Sequence, residues 1–299
     1  MTSDRPDSTP TGDASSQKGE DREHPQPTAR VENRPSSDRQ REALPPGELR
    51  APNKYGVSDD KLPDRVGRLT KTARDYGETA DELSGKAAKE LRSAETLRDQ
   101  WRAAMARTDT TRAASLRDDV DAADRRASGT QTELLRVQYK VVTTRYEAMA
   151  AARELAAPGS AADDRPPGPV DPKLVVAQTY RDLADDEVRI DPALDEVAKE
   201  HLDIALDWAA GAERNAGGDT QRIAWSRGFQ AEVFERLGNL KTQWSEGNPD
   251  WLTGRNGAFD DYRDAAHLYA KIGDKPNAER VQATRERLEA ELGGQDRPK

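Results

Sequence analysis

Three histidines, His24, His201 and His267, are the chain's candidates for acid–base or metal chemistry, and their neighbours limit what they can do. Asp264 and His267 stand three apart, a spacing that puts both on one helical face and offers two metal ligands. Glu200 and His201 are adjacent and so do not share a face. A zinc site takes three or four protein ligands, and no second pair completes a set. The chain has no cysteine, which removes thiolate ligands, thiolate nucleophiles and disulfides. It has no glycine-rich phosphate loop, no nucleophile elbow and no His-Glu-x-x-His. Acids are abundant, but no pair of them is singled out as a general acid and base. No catalytic residue, no metal and no cofactor is therefore expected. An enzyme would need a site assembled from dispersed acids with His201 or His267.

Recognition of a partner is the chemistry that remains, and an internal repeat carries it. Ala231-Glu-Val-Phe-Glu-Arg-Leu-Gly-Asn239 aligns with Ala266-His-Leu-Tyr-Ala-Lys-Ile-Gly-Asp274, at an offset of 35 residues. The shared form is Ala, any residue, aliphatic, aromatic, any residue, basic, aliphatic, Gly, then Asn or Asp. With Tyr262 and Ala278 at further aromatic and small positions, the segment 259–292 resembles a tetratricopeptide repeat. It departs from that pattern at Gln282 and Arg285. In the unit from residue 224, Leu240–Leu252 replaces the second helix. An unrelated helical bundle would give the same pattern.

The resemblance implies a concave face, lined by the first helix of each pair, that binds a peptide or protein segment. Its face positions fall on Trp225, Gly228, Glu232 and Glu235, then on Asp260, Arg263, His267 and Ala270. Trp225, Glu232, Arg263 and His267 are the candidate partner-binding residues. Packing between helices is the competing role for Trp225. Trp208, Trp244 and Trp251 are read as packing residues around the irregular insertion.

These residues need helices to hold them, and helical periodicity dominates the chain. From Leu62 the run Leu62, Val66, Leu69, Ala73, Tyr76, Ala80, Leu83, Ala87 steps by four and three, the heptad seam of a coiled coil. The next apolar residues, Leu91, Ala94, Leu97, Trp101 and Met105, predict a stutter between Ala87 and Leu91. A second run, from Leu116 through Val141 to Leu155, holds the alternation throughout. Between the runs, a straight helix would bury Asp109 and Arg112 in the seam, which is costly. The reading is an antiparallel hairpin with arms of about 60 Å, Ser115 and Asp118 capping the second arm. A continuous rod is the alternative. A further stripe, Leu135, Tyr139, Val142, Tyr146 and Met149, predicts that the base of the second arm buries a second face. The opposite end is a charged, solvated tip containing Arg107, Asp109 and Arg112, with partner binding there as the alternative.

The flanking segments read differently. Residues 1–60 are rich in Pro, Ser and mixed charge with few large apolar side chains, so they are expected to be a disordered tail. Leu44-Pro-Pro-Gly-Glu-Leu49 is its one stretch with the look of a docking motif. The expected organisation is this tail, a hairpin over 61–156, a Pro/Gly linker over 157–172, a helical-repeat region over 173–293 and a disordered end over 294–299. Helices are predicted at 173–188, 192–214, 219–237, 257–272 and 275–292, with Gly238 and Gly273 as stops. The fold class is all-α.

A net charge of −9 without a dense basic run excludes an ordinary nucleic-acid surface. No apolar stretch approaches the length of a transmembrane helix, and the N-terminus lacks the apolar core of a signal peptide. A cytoplasmic location is expected, with signal-independent export left open. The leading expectation is a non-catalytic scaffold that binds a protein or peptide partner and is itself a monomer or weak homo-oligomer. A subunit that self-assembles through the hairpin and an enzyme-like effector are the alternatives.

Overall fold

A computed structural model describes residues 54–157, 170–245, 250–254 and 256–295. The expected tail up to residue 53 with Leu44–Leu49, most of the linker, and the last four residues lie outside the described residues. Among the described residues the fold is all-α, without a strand.

Helix α1 (Asp64–Ala106) follows Pro63, and α2 (Thr110–Ala156) runs back along it. Arg65 pairs with Glu154 at one end (3.1 Å), and Arg98 pairs with Asp124 toward the other (2.6 Å). The turn is Arg107-Thr108-Asp109. Thr108 takes a left-handed φ of 58°, and the Asp109 carboxylate accepts the Arg112 N–H at 3.0 Å. Asp109, rather than Ser115, therefore caps α2. It satisfies an otherwise orphaned N–H at the first turn, which is what a capping carboxylate does.

The seam between α1 and α2 is built largely of alanine. Ala73, Ala80, Ala87 and Ala94 are buried on α1, and Ala113, Ala123, Ala127, Ala148 and Ala151 on α2. The expected stutter is absent. The α1 positions facing α2 continue as Ala87, Glu90, Ala94, Leu97, Trp101 and Ala104, an unbroken alternation of three and four. Leu91 and Met105 are exposed instead.

The second stripe on α2 is buried only toward its base, where Met149 packs against the core and Tyr146 against His201. Leu135 and Tyr139 are 67% and 71% exposed. The helix packs on the following helix, with Arg145, itself buried, reaching across. Arg145 Nε donates to Asp186 Oδ2 at 2.7 Å, and its guanidinium lies 3.6 Å from Asp182.

That following helix, α3 (Pro172–Ile190), is capped by Asp171 and buried along most of its length. A 3-10 turn at Pro192–Leu194 leads to α4 (Asp195–Asn215). Gly217 and Gly218, both at positive φ, turn the chain into α5 (Thr220–Trp244), which is capped by Asp219. A short α6 (Asp250–Thr253) precedes α7 (Ala258–Lys271) and α8 (Lys275–Gln295). Helices pack in sequence order: α2 on α3, α3 on α4, α4 on α5, α5 on α7, and α7 on α8.

Gly238 is not a helix stop. It lies inside α5, where the Tyr262 ring of α7 packs on its bare backbone. Gly273, its counterpart in the sequence repeat, does end a helix at φ 79°. One core cluster runs from Tyr55 and Val57 through α3 and α5 to Val281 of α8.

Candidate functional site

The residues just before α1, Lys54–Ser58, are not part of a loose tail. They form a strap held by residues 121 to 220 positions away along the chain. Gln178 of α3 reads the strap's backbone twice: its Oε1 accepts the Val57 N–H, and its Nε2 donates to the Val57 carbonyl at 3.0 Å. Glu232 of α5 accepts the Tyr55 N–H at 3.0 Å. A side-chain amide or carboxylate that satisfies main-chain groups holds a segment by its backbone, whatever its side chains are.

The Tyr55 side chain supplies the specific contact. Its ring lies on Gly228, where any Cβ would overlap it. It is flanked by Trp225 (centroids 5.7 Å apart, edge-on) and Tyr269 (6.3 Å). Its hydroxyl donates to Asp274 Oδ2 at 2.6 Å, and the Lys54 ammonium reaches the same oxygen at 2.9 Å. Burial pulls the Asp274 carboxyl upward, but hydrogen bonds from Tyr55, Asn277 and Lys54 outweigh it and hold it at about 2. Burial, with the Asp274 carboxylate beside it, pushes the Tyr55 phenol up to about 12. The phenol is thus neutral and donating, and the carboxylate charged and accepting, across the physiological range.

Behind the strap lies a charged layer. Arg181 of α3 has no exposed side-chain surface. It pairs with Glu232 (3.3 Å) and Asp182 (2.9 Å) and stacks on Phe229. Burial raises the Glu232 carboxyl, with Arg181 opposing. Beside the strap is a cleft of about 780 Å³, lined by the strap backbone, Gln178 and Trp225, and bordered by the ion pairs Arg222–Asp171 and Arg74–Asp59.

The four residues expected on a recognition face are divided by the structure. Trp225 stands at the strap's edge, 40% exposed. Glu232 contacts the strap but is fully buried and committed to Arg181, so it is not a surface residue open to a partner side chain. Arg263 is held within its own helix by Asp260 (2.7 Å) and Asp264 (3.1 Å). His267 is exposed, and neither residue lines the cleft. At the turn between α1 and α2, Arg107, Asp109 and Arg112 are exposed, with Asp109 serving as the cap.

The sequence does not mark Tyr55, Gln178 or Arg181, and it marks Asp274 only as the last position of the internal repeat. One signal was available: Tyr55 is the first aromatic residue of the chain, followed at once by Gly and Val. His24 lies outside the described residues; His201 accepts or donates at Nδ1 with Glu187 (2.7 Å) and packs against Tyr146 and Tyr180. Among the described residues, no group of three or more His, Asp or Glu is placed to hold a metal ion, and no helix is long and apolar enough to cross a membrane.

No protein-family model matches the chain, and no curated protein or solved structure is significantly similar to it.

Proposed function

We propose that this is a non-catalytic interaction protein whose C-terminal helical region binds a segment of a protein partner. The observation that carries the reading is the strap. The face formed by α3, α5 and the α7–α8 turn already holds a non-helical segment by two backbone readers, Gln178 and Glu232, and one aromatic seat on Gly228. The resemblance of residues 259–292 to a tetratricopeptide repeat points the same way, since such repeats bind segments on the first-helix face. In this reading α1 and α2 act as a spacer or second contact.

Selection of a displayed random-peptide library on the intact protein tests it. Convergent peptides whose binding is lost in Gly228→Leu are expected. Failure to enrich, or equal binding to both proteins, would retire the reading.

A second reading, self-assembly through α2, rests on Leu135 and Tyr139. They stand four residues apart on one face, both mostly exposed. Multi-angle light scattering decides it: a dimer that Tyr139→Ser converts to monomer supports it, and a strict monomer at micromolar concentration ends it.

A further inference from the structure

The strap shows what kind of segment the face accepts. It offers a basic residue, a tyrosine, a residue without a side chain and a β-branched residue, Lys54-Tyr55-Gly56-Val57. Each has a matching feature on the protein. Asp274 faces the ammonium and the phenol together. Gly228 leaves room for the ring, and Trp225 and Tyr269 flank it. Gln178 pairs with both main-chain groups of the β-branched residue, whose side chain joins the core.

We propose that this face is a recognition site for partner segments of that chemistry, basic-tyrosine-glycine-aliphatic, taken up with the bent backbone of the strap. The chain's own Lys54–Val57 is then the resident competitor that a partner displaces. The proposal rests on the segment-binding reading above and adds to it the recognised pattern and the self-occupied resting state.

Two features make the strap displaceable rather than fixed. Its polar anchors are few: a phenol, an ammonium that is itself mostly exposed, and three main-chain hydrogen bonds, beside the two side chains, Tyr55 and Val57, that it buries in the core. Along one side it borders the open cleft of about 780 Å³, lined by Lys54, Gly56, Val57 and Ser58. A competing segment can therefore enter beside the strap and replace its contacts one at a time. Because the strap is covalently attached, it acts at a millimolar-scale effective concentration. A free segment of equal quality binds the intact chain weakly until the strap is loosened.

The test uses the full chain and a fluorescent peptide spanning residues 50–60. Fluorescence anisotropy should show the peptide binding Tyr55→Ala at least about tenfold more tightly than wild type, since the tethered competitor is lost. The same peptide with its tyrosine replaced by alanine should not bind Tyr55→Ala. Equal affinity for wild type and Tyr55→Ala, or binding that ignores the peptide's tyrosine, overturns the proposal.

Wild-type hydrogen exchange covers the case in which Tyr55→Ala fails to fold. The Tyr55 and Val57 amides should exchange at least about 100-fold faster than those of Phe229 and Val233, which marks local opening. Strap amides that exchange no faster than the core make the strap a permanent element and overturn the proposal. Concentration-dependent dimers that vanish in Tyr55→Ala would assign the face to a second copy's strap and overturn it as well. In either case, library peptides that bind wild type and are lost in Gly228→Leu would leave the broader segment-binding reading standing.

Discussion

Arg181 and Glu232 face each other across α3 and α5, Nη1 to Oε2 3.3 Å, with no exposed side-chain surface on either partner. The second Glu232 oxygen takes the Tyr55 N–H. One carboxylate thus joins the interior charge layer to the strap. Removing one partner of a buried pair leaves an uncompensated charge, whereas replacing both by apolar groups is often tolerated. Glu232→Ala is expected to cost about 3–5 kcal/mol in urea unfolding. The double variant Arg181→Met/Glu232→Leu should cost clearly less than the single. A double variant at least as unstable as Glu232→Ala would show that the pair contributes net stability.

Asp274 makes strap seating sensitive to acid, in one direction and one window. Its folded value of about 2 lies below the ordinary 3.8 because Tyr55, Asn277 and Lys54 hydrogen-bond the charged form. A carboxyl depressed on folding contributes stability that is complete above its unfolded value and is lost as pH falls through the folded one. The wild type should therefore exceed Asp274→Asn by about 2 kcal/mol at pH 6. That gap should close between about pH 4 and pH 2. Unfolding curves of the two proteins across this range check it. A gap that is unchanged at pH 2 would mean that the phenol does not sit on a charged Asp274.

The all-α class was legible because a helix writes its period locally, and the polar residues that break the two runs, Arg107 to Asp109, are where the chain turns. The strap was not legible. Tyr55-Gly56-Val57 is too short to show a period, it follows a polar segment, and its partners lie 121 to 220 residues away. The repeat resemblance puts Glu232 on an open face, but the Tyr55 backbone and Arg181 close over it, and the carboxylate is fully buried. Gly238 differs from the expected helix stop for a related reason. A glycine that ends a helix and a glycine that seats a ring are the same letter, and only the Tyr262 ring across the interface tells them apart.

Gly238 offers a direct contest between propensity and packing. Alanine in a helix interior is favoured over glycine by about 1 kcal/mol. At Gly238, however, a Cβ would stand 2.8–3.0 Å from the Tyr262 ring. That ring is pinned by its hydroxyl, which donates to Asn239 Oδ1 at 2.8 Å. Overpacking of this kind costs about 1–3 kcal/mol. Gly238→Ala should therefore lower stability, while Gly85→Ala on α1, where nothing lies within 4 Å, should raise it by up to about 1 kcal/mol. Thermal midpoints moving in the same direction for both variants would contradict the close approach of Tyr262.

Glu90 tests the seam between α1 and α2. Apolarity alone selects Leu91 as the seam residue, which requires the stutter. The structure keeps the heptad unbroken by turning Glu90 toward α2, with its Oε2 buried and without a hydrogen-bond partner. The flanking seam residues Ala87 and Ala94 are both buried, and the larger Leu91 is left on the outside. A buried carboxylate oxygen without a partner costs about 1–3 kcal/mol. Glu90→Leu should therefore stabilise the protein by about 1–2 kcal/mol, raising the midpoint by about 2–4 °C for each kcal/mol in a chain of this size. Leu91→Ser, on the exposed side, should change stability by no more than about 0.5 kcal/mol. A stuttered seam predicts the reverse: a neutral Glu90→Leu and a costly Leu91→Ser. Calorimetry on the two single variants therefore decides which of the adjacent residues faces α2.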